Sequence, residues 1–266
     1  MNYYKILIQY LGTNYVGFQW QSHLNTIQSV LNACIANLTQ RKFSTMPSSR
    51  TDKGVHAIGQ VVKLTIDEQI SCDFFLLELN KLLPQDIKIL EISPCPSSFK
   101  PTSDTLSKEY RYLFTNDKIP ITENHNLIAN ITNPLNIQLI QECIILIKGT
   151  QNFQNFYSKG SNVKSTIRVI NSCELNVINS QFFFNEKLRI EIPTTARICF
   201  EFKIIANGFL KQMIRHLVSA LWMVGSEKMT IEEFKKLLTG PFIAHQKWRI
   251  APPSGLYLVK INFKDI

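Results

Sequence analysis

Residues 49–60 read Ser-Arg-Thr-Asp-Lys-Gly-Val-His-Ala-Ile-Gly-Gln, a polar stretch between an amphipathic segment and an alternating apolar run. Arg50 and Lys53 flank Asp52, and neighbouring cations favour the ionised form of a carboxylate. Gly54 lets the chain turn with positive φ at little cost. The stretch is therefore predicted to be a loop that presents one charged carboxylate. Asp52 could act as a nucleophile or base, or it could form an Asx turn and pair with Arg50 on a solvated loop.

The composition is that of a folded, basic protein. The chain has 266 residues, of which 45% are hydrophobic and 18% charged. This suits one large domain or two small ones and argues against disorder. Lys and Arg total 29 against 20 Asp and Glu, a formal net charge of +9 that is spread along the chain. Such a charge predicts a polyanionic partner such as nucleic acid, although a merely basic protein has the same composition.

The cysteines and the apolar runs indicate a cytoplasmic protein without a metal site. The six cysteines are isolated, with no CxxC pair and no histidine at ligand spacing. They are typical of small buried side chains in a reducing compartment, and we expect neither zinc nor a disulfide framework. The first residues lack the apolar core of a signal peptide, and no run of about 18 apolar residues predicts a membrane span.

Apolar periodicity predicts alternating strands and helices in the first 96 residues. Residues 4–10 form a strand, and a helix with a cap at Asn25-Thr26 follows. A strand with alternating apolar residues comes after the loop around Asp52, then a helix over 74–83 and a strand over 87–92. This order predicts an α+β arrangement with helices on one face of a sheet.

Residues 10–21 form a second unusual loop, in which Tyr15, Phe18 and Trp20 alternate with glycines and glutamines. Aromatic rings interleaved with amide side chains suit stacking on bases and contacts to base edges. The same rings could instead pack against their own domain, so this segment alone is indecisive.

After a linker-like stretch at 97–107, the second part of the chain repeats the strand-and-helix rhythm. We expect a strand from Lys108, a helix over 136–148, a hairpin of strands 166–177 and 181–192 that turns at Asn179-Ser180, and a strand over 199–205. Phe209 is predicted to open a long apolar helix, and Thr230 with Glu233 forms a capping box for the next. Arg215 leaves the apolar face of its helix, so it needs a partner, either structural or a ligand.

Six blocks of the sequence resemble those of the TruA-type tRNA pseudouridine synthases, in the family's order and over almost the whole chain. Residues 49–60 resemble its Arg-Thr-Asp-x-Gly-Val-His-Ala-x-Gly-Gln signature, and residues 10–21 resemble its YxGTxYxGFQxQ block. The other blocks are the tyrosine strand at 108–112, GxxxFxxF at 149–156, FLxxMxRxxV at 209–218 and APPxGLYL at 251–258.

The resemblance implies an α+β fold of two α/β domains, each an antiparallel sheet with helices on one face, joined into one extended sheet across a central cleft. The domains are expected at residues 1–104 and 105–266, with residues 251–266 contributing to the cleft. The resemblance also implies a homodimer that binds tRNA and converts uridine to pseudouridine in the anticodon stem-loop, at tRNA positions 38–40.

The family's site residues carry over to matching positions of this chain. Asp52 is the implied catalytic aspartate, positioned by Arg50. Tyr110 is implied to pack against the target base, Arg215 to contact Asp52, and Leu256 to line the pocket. Contacts to RNA are expected from Gln19, Lys53, His56 and Lys211.

Three positions depart from the family pattern. Lys53 replaces the usual small residue after the aspartate. Residues 99–102 read Phe-Lys-Pro-Thr and lack the arginine of the family's FxAR segment. Gln151-Asn152 stands where a His-Asp pair is common. The last two bear on contacts to RNA more than on catalysis.

The implied reaction is redox-neutral and needs one ionised carboxylate, so no cofactor is expected. Asp52 could add to C6 of the base, attack C1′ of the sugar, or take the 2′ proton to give a glycal, and the sequence leaves these routes open. One alternative is a non-catalytic protein that binds structured RNA with the same fold. A hydrolytic carboxylate enzyme such as a glycosidase is disfavoured, because that chemistry needs two facing carboxylates and the expected site residues include only one, Asp52.

Overall fold

A computed structural model describes residues 1–116, 126–160, 163–178, 198–243 and 248–264. The chain divides into two units, one of Met1–Lys108 with Tyr257–Ile266 and one of Glu109–Leu256. The segment from Tyr257 onward, which the sequence assigned to the second domain, thus groups with the first unit. Its strand pairs with a strand of that unit, and this pairing is the physical reason for the grouping.

The first unit is a sheet with two helices. Its strands are β1 (Asn2–Tyr10), β2 (Phe43–Pro47), β3 (His56–Ile66), β4 (Ile87–Pro94) and β10 (Leu256–Phe263, of which Tyr257–Phe263 lie in this unit), and its helices are α1 (Ile27–Thr39) and α2 (Cys72–Leu82). The strand order is β4-β1-β3-β10, with β2 also on β3. β1 pairs antiparallel with β3 and β4, and β2 does so with β3. β10 instead runs parallel to β3, with Tyr257 opposite His56.

Local sequence explains these elements. Tyr4, Ile6, Ile8 and Tyr10 alternate toward the core along β1, as a strand covered on one face requires. The predicted cap of α1 is confirmed, since the Thr26 hydroxyl accepts a hydrogen bond from the Ser29 amide within a capping box. β2 was not predicted, because its five residues alternate only between half-buried and exposed.

The second unit has the strands β5 (Thr105–Thr115, of which Glu109–Thr115 lie in this unit), β6 (Ala129–Asn130), β7 (Gly149–Asn152), β8 (Ile167–Ile178) and β9 (Cys199–Ala206). Its helices are α3 (Ile137–Ile147), α4 (Met213–Gly225) and α5 (Ile231–Thr239). The strand order is β5-β9-β8-β7, and β6 pairs with β5. The capping box of Thr230 and Glu233 is confirmed at α5, and Asn136 caps α3. The predicted hairpin turn at Asn179-Ser180 and the strand at 181–192 lie outside the described residues.

The prediction that Phe209 opens the long apolar helix is wrong, because α4 begins at Met213. Gln212 adopts φ 60° and ψ 12°, which is a left-handed conformation. A right-handed helix cannot pass through such a residue, so α4 cannot extend from Met213 back to Phe209. The residues just before the helix instead form a turn, in which the Met213 amide donates to the Leu210 carbonyl at 3.1 Å.

Two further expectations concern the cysteines and the apolar segments. None of the six cysteines, which all lie in the described ranges, forms a disulfide; four are buried, and Cys72 and Cys95 are half-buried. Among the helices of the described ranges, none combines the length and the apolar character that a membrane crossing needs.

Candidate active site

Asp52 lies on the loop between β2 and β3, and the loop has the form that the sequence predicted. The Asp52 side chain is half-buried, while Arg50 and Lys53 are exposed. Gly54 has φ +76°, and the Val55 amide donates to the Asp52 carbonyl at 3.1 Å to close a turn. Because Lys53 is exposed, this position accepts a long cation in place of the family's small residue.

The 10–21 segment holds this loop from one side. The Tyr10 hydroxyl is hydrogen-bonded to Thr51 Oγ1 at 2.8 Å, and the Phe18 amide donates to the Thr51 carbonyl at 3.1 Å. Gly17, at φ +112°, comes so close that a Cβ atom there would lie 2.7 Å from the Thr51 carbonyl oxygen. These contacts hold the side chain and the carbonyl of Thr51, the residue directly before Asp52.

Gln60 and Lys108 hold the other end of the loop. Gln60 Nε2 donates to the Ser49 carbonyl at 2.6 Å, and Lys108 Nζ donates to the Ser48 carbonyl at 2.9 Å. Burial lowers the pKa of Lys108 from 10.5 to about 8, because desolvation disfavours the charged ammonium. Lys108 was not singled out from the sequence as a loop support, since its partner lies 60 residues away.

His56, an expected RNA contact, is fully buried. Its Nδ1 accepts a hydrogen bond from the Gly12 amide at 3.1 Å, and its ring stacks on Tyr257 with centroids 4.6 Å apart. The observed contacts therefore give His56 a structural role at the start of β3, and its contact with RNA stays a prediction.

Gln19, another expected RNA contact, is half-buried. Within the described part of the chain its buried Oε1 accepts no hydrogen bond. Nearby, the Tyr15 hydroxyl donates to Asp86 Oδ1 at 2.6 Å. Burial first, and then the hydrogen bond and negative charge of Asp86, raise the pKa of Tyr15. Tyr15 is therefore a buried neutral phenol that supports the loop.

Tyr110 lies on β5 in the second unit and is buried. The Phe209 ring meets the Tyr110 ring edge to face, with centroids 5.1 Å apart. This contact restricts the orientation of the Tyr110 ring. The next residue, Arg111, points away and forms ion pairs with Glu109 at 2.8 Å and Glu201 at 3.0 Å.

Arg215 lies in the first turn of α4 and is only 8% exposed. Its Nε donates to the Ala251 carbonyl at 2.7 Å, and the Ala251 amide donates back to the Arg215 carbonyl at 3.4 Å. The neighbouring Pro252 carbonyl accepts from the Tyr112 hydroxyl at 2.9 Å. These bonds anchor the segment that leads to Leu256, which is itself buried.

His216, next to Arg215, was not singled out from the sequence. Burial, and secondarily the charge of Arg215, lowers its pKa from 6.5 to about 4, so the imidazole is neutral at physiological pH. Ser158 Oγ is hydrogen-bonded to His216 Nε2 at 3.1 Å and donates to Gln212 Oε1. Lys211, an expected RNA contact, is exposed, and its carbonyl accepts from the Ser158 amide at 3.1 Å.

The other two departures from the family pattern have local structural partners. Lys63 Nζ donates to the carbonyls of Ser97 at 2.8 Å and Phe99 at 2.7 Å, so it holds the segment that lacks the family's arginine. Gln151 donates to the Leu146 carbonyl at 3.1 Å, and Asn152 accepts from the Thr166 hydroxyl at 2.6 Å. These side chains support their own unit.

The predicted site residues thus fall into two sets. Arg50, Asp52 and Lys53 share one loop of the first unit, whereas Tyr110, Arg215 and Leu256 belong to the second unit. Across the described ranges, no group of three or more His, Cys, Asp and Glu side chains is placed to hold a metal ion.

A family model and curated relatives that match this chain agree on one family. A family model described as tRNA pseudouridine synthase matches residues 6–102 and 144–264. A tRNA pseudouridine synthase A of Phytoplasma mali is 36% identical over 98% of this chain and 98% of its own. The protein of the same name from Thermoanaerobacter sp. is 33% identical over 97% of this chain and 98% of its own. The one from Syntrophomonas wolfei subsp. wolfei is 32% identical over 100% of this chain and 99% of its own. The chain therefore belongs to the TruA-type family of tRNA pseudouridine synthases.

Proposed function

We propose that this protein is a tRNA pseudouridine synthase that isomerises uridine to pseudouridine in the anticodon stem-loop, with Asp52 as the nucleophile. Family membership supports the reaction and the class of substrate. The observation that carries the role of Asp52 is its loop, in which the backbone is held at Thr51 and Ser49 and Asp52 stands in the sequence between the exposed residues Arg50 and Lys53.

The reaction conserves atoms and electrons. The bond between N1 of the base and C1′ of the sugar breaks, the base turns, and a bond forms between C5 and C1′. C5 then loses its proton and N1 gains one. An ionised carboxylate suits each route open to Asp52, whether it adds to C6, attacks C1′ or removes the 2′ proton. Arg50, exposed two residues before Asp52, favours the ionised form.

Roles for the second unit follow from the family resemblance. We assign Tyr110 the ring on which the target base stacks, and its hydroxyl the role of accepting or relaying the C5 proton. Arg215 is assigned as the cation that stabilises the carboxylate in the complex with RNA, and Leu256 as an apolar wall for the base. The edge-to-face contact of Tyr110 with Phe209 and the bond of Arg215 to Ala251 support these roles, because both fix a side chain before substrate binds.

The target base must leave its stack, which costs a few kcal/mol. Stacking on an aromatic side chain returns about 1–3 kcal/mol per base. We further propose that the protein acts on tRNA in the cytoplasm as a homodimer, as the resemblance implies. The net charge of +9 supports binding to a polyanion.

The direct test maps carbodiimide-resistant pseudouridines in tRNA after incubation with the protein and with its Asp52→Ala variant. We expect Asp52→Ala to abolish pseudouridine formation, with a loss of at least about 10⁴-fold in kcat as is typical for a nucleophile. Its affinity for tRNA should fall only modestly, since one loop carboxylate is removed. The matched control is Asp67→Ala, which removes an exposed carboxylate directly after β3 and should leave the rate unchanged.

The outcomes separate the proposal from its alternative. If Asp52→Ala forms pseudouridine at the rate of the unmodified protein, Asp52 is not the nucleophile. If the protein itself binds tRNA tightly and forms no pseudouridine, it is a non-catalytic RNA-binding protein with the same fold.

A further inference from the structure

The aromatic side chains of residues 10–21 differ sharply in exposure. Tyr15 is 4% exposed and Phe18 is fully buried, so both belong to the core of the first unit. Trp20, in contrast, is 56% exposed. Tyr10, the fourth ring of this segment, is 2% exposed, so Trp20 is the one with a face available to a ligand.

The backbone beneath Trp20 is well anchored. The Trp20 amide donates to Gln28 Oε1 at 2.9 Å. Gln28 is buried in α1, and its Nε2 donates to the carbonyl and the hydroxyl of Thr45 at 3.1 and 3.0 Å. An exposed ring on a fixed backbone loses little conformational entropy when it binds a flat ligand. Trp20 is thus preorganised for a stacking contact.

Trp20 also lies close to the Asp52 loop. The Phe18 amide is bonded to the Thr51 carbonyl at 3.1 Å, and Trp20 follows Phe18 by two residues. Two residues of extended chain reach about 7 Å at most. The Trp20 backbone is therefore a near neighbour of the residues that hold Asp52.

The charges around this position favour RNA over an apolar partner. Arg50 and Lys53 are exposed on the adjacent loop, where they can pair with phosphates. Aromatic rings beside cations form the platforms on which proteins stack single-stranded bases, and such stacking tolerates any base because every base has a π face.

We propose that Trp20 forms a stacking subsite for an unpaired base that flanks the nucleotide reacting at Asp52. This inference rests on the proposed function, because it takes RNA as the substrate. It assigns to Trp20 the binding of a second nucleotide, distinct from the target base, and predicts that the subsite accepts either purines or pyrimidines.

Fluorescence tests the stacking directly. The chain has three tryptophans, and Trp222 and Trp248 are half-buried. The double variant Trp222→Phe/Trp248→Phe leaves Trp20 as the reporter. We expect its emission to be quenched as a synthetic anticodon stem-loop RNA is added, with saturation at the stoichiometry measured by filter binding. In stem-loops that carry an abasic site at one loop position at a time, one position should lose most of the quenching.

Kinetics tests the contribution to the reaction. We expect Trp20→Ala to raise KM about 5- to 150-fold, the range for the loss of one base-aromatic stack, with kcat within a few-fold of the unmodified protein. Trp20→Phe retains a ring and should restore most of the loss. Circular dichroism should show both variants folded, because the side chain lies largely outside the core.

Several results would overturn the subsite. The proposed subsite is contradicted if RNA binds without quenching the Trp20 emission. It is also contradicted if no abasic position weakens the quenching, or if Trp20→Ala leaves KM unchanged. Emission that shifts with protein concentration in the absence of RNA would instead identify Trp20 as a contact between copies of the chain. If Asp52→Ala abolishes pseudouridine formation while Trp20→Ala is neutral, the subsite fails and the proposed function stands.

Discussion

The loop around Asp52 and the first turn of α4 hold their cations in opposite ways. On the loop, the backbone is fixed by hydrogen bonds from neighbouring segments, and the Arg50 and Lys53 side chains are exposed. In α4 the Arg215 side chain is buried and itself makes the bond to Ala251. An exposed cation contributes little to folding and can reach a polyanion readily. An enclosed guanidinium is part of the fold, so its removal leaves a buried acceptor unpaired.

Among variants that leave the proposed nucleophile in place, the largest expected effect comes from disturbing the backbone of the loop. Gly17→Ala places a Cβ 2.7 Å from the Thr51 carbonyl oxygen at φ +112°, so the Asp52 loop must shift. A misplacement of about 1 Å costs roughly 10²-fold in rate, and we expect a loss of that size in kcat/KM for pseudouridine formation. The free energy of unfolding, measured with urea, should fall by about 1–3 kcal/mol because of backbone strain and crowding.

Gly160→Ala is the matched control, because Gly160 has a similar φ of +104° and no described atom lies within 4 Å of the position that its Cβ would take. It shares the backbone strain without the contact to the Asp52 loop. Equal losses of kcat/KM in the two variants would contradict the role of Gly17 in holding that loop.

Removal of the enclosed cation should act on stability. Arg215→Met removes the bond to the Ala251 carbonyl, and we expect the free energy of unfolding to fall by about 1.5–3 kcal/mol. The pKa of His216 should also rise from about 4, because the charge of Arg215 is one of the two causes that lower it. The rise should be partial, because burial, the larger cause, is retained. Urea denaturation and NMR titration of the imidazole measure these changes.

Arg249→Met, at an exposed position of the same unit, should change the free energy of unfolding by no more than about 0.5 kcal/mol. If Arg215→Met lowers the free energy of unfolding as little as this control, the Arg215 guanidinium is not enclosed in solution. The contrast between the Asp52 loop and the first turn of α4 would then disappear.

The last expected effect concerns Lys108 and pH. The unfolded chain releases the Lys108 proton near 10.5, whereas the folded protein releases it near 8. Between these values the unfolded state binds more protons, so the free energy of unfolding rises with pH, by at most about 1.4 kcal/mol per pH unit. Lys108→Met should remove this contribution, which urea denaturation from pH 7.5 to 10.5 would detect as a flatter profile.

Lys100→Met removes an exposed lysine of the same unit and should leave the pH profile unchanged. If the Lys108→Met profile runs parallel to that of the unmodified protein, the burial of Lys108 does not lower its pKa in solution.

The features that the sequence predicted correctly are local. Thr26 at α1, Thr230 with Glu233 at α5 and the positive φ of Gly54 each follow from a few adjacent residues. The start of α4 was predicted wrongly, since apolar spacing from Phe209 onward suits a helix but cannot reveal the left-handed Gln212.

The features that the sequence could not supply depend on distant partners. Tyr15, Phe18 and Trp20 share one motif, yet their exposure is decided by segments such as α1 and the Asp52 loop. The support that Lys108 gives to the loop depends on Ser48. Similarity of motifs located Asp52, whereas only packing distinguishes the ring that faces solvent from those in the core.

The pairing of β10 with β3 has a consequence for synthesis. Ribosomes add about 5–20 residues per second, so the residues from Glu109 to Leu256 take on the order of 10–30 s to make. During that interval β3 lacks β10, and the His56 ring lacks Tyr257. An unpaired strand edge invites association with other chains, so the start of β3, where His56 and Ala57 await Tyr257 and Leu258, stays open to such association until then. The unit that carries Asp52 completes its sheet only after the ribosome has passed Phe263.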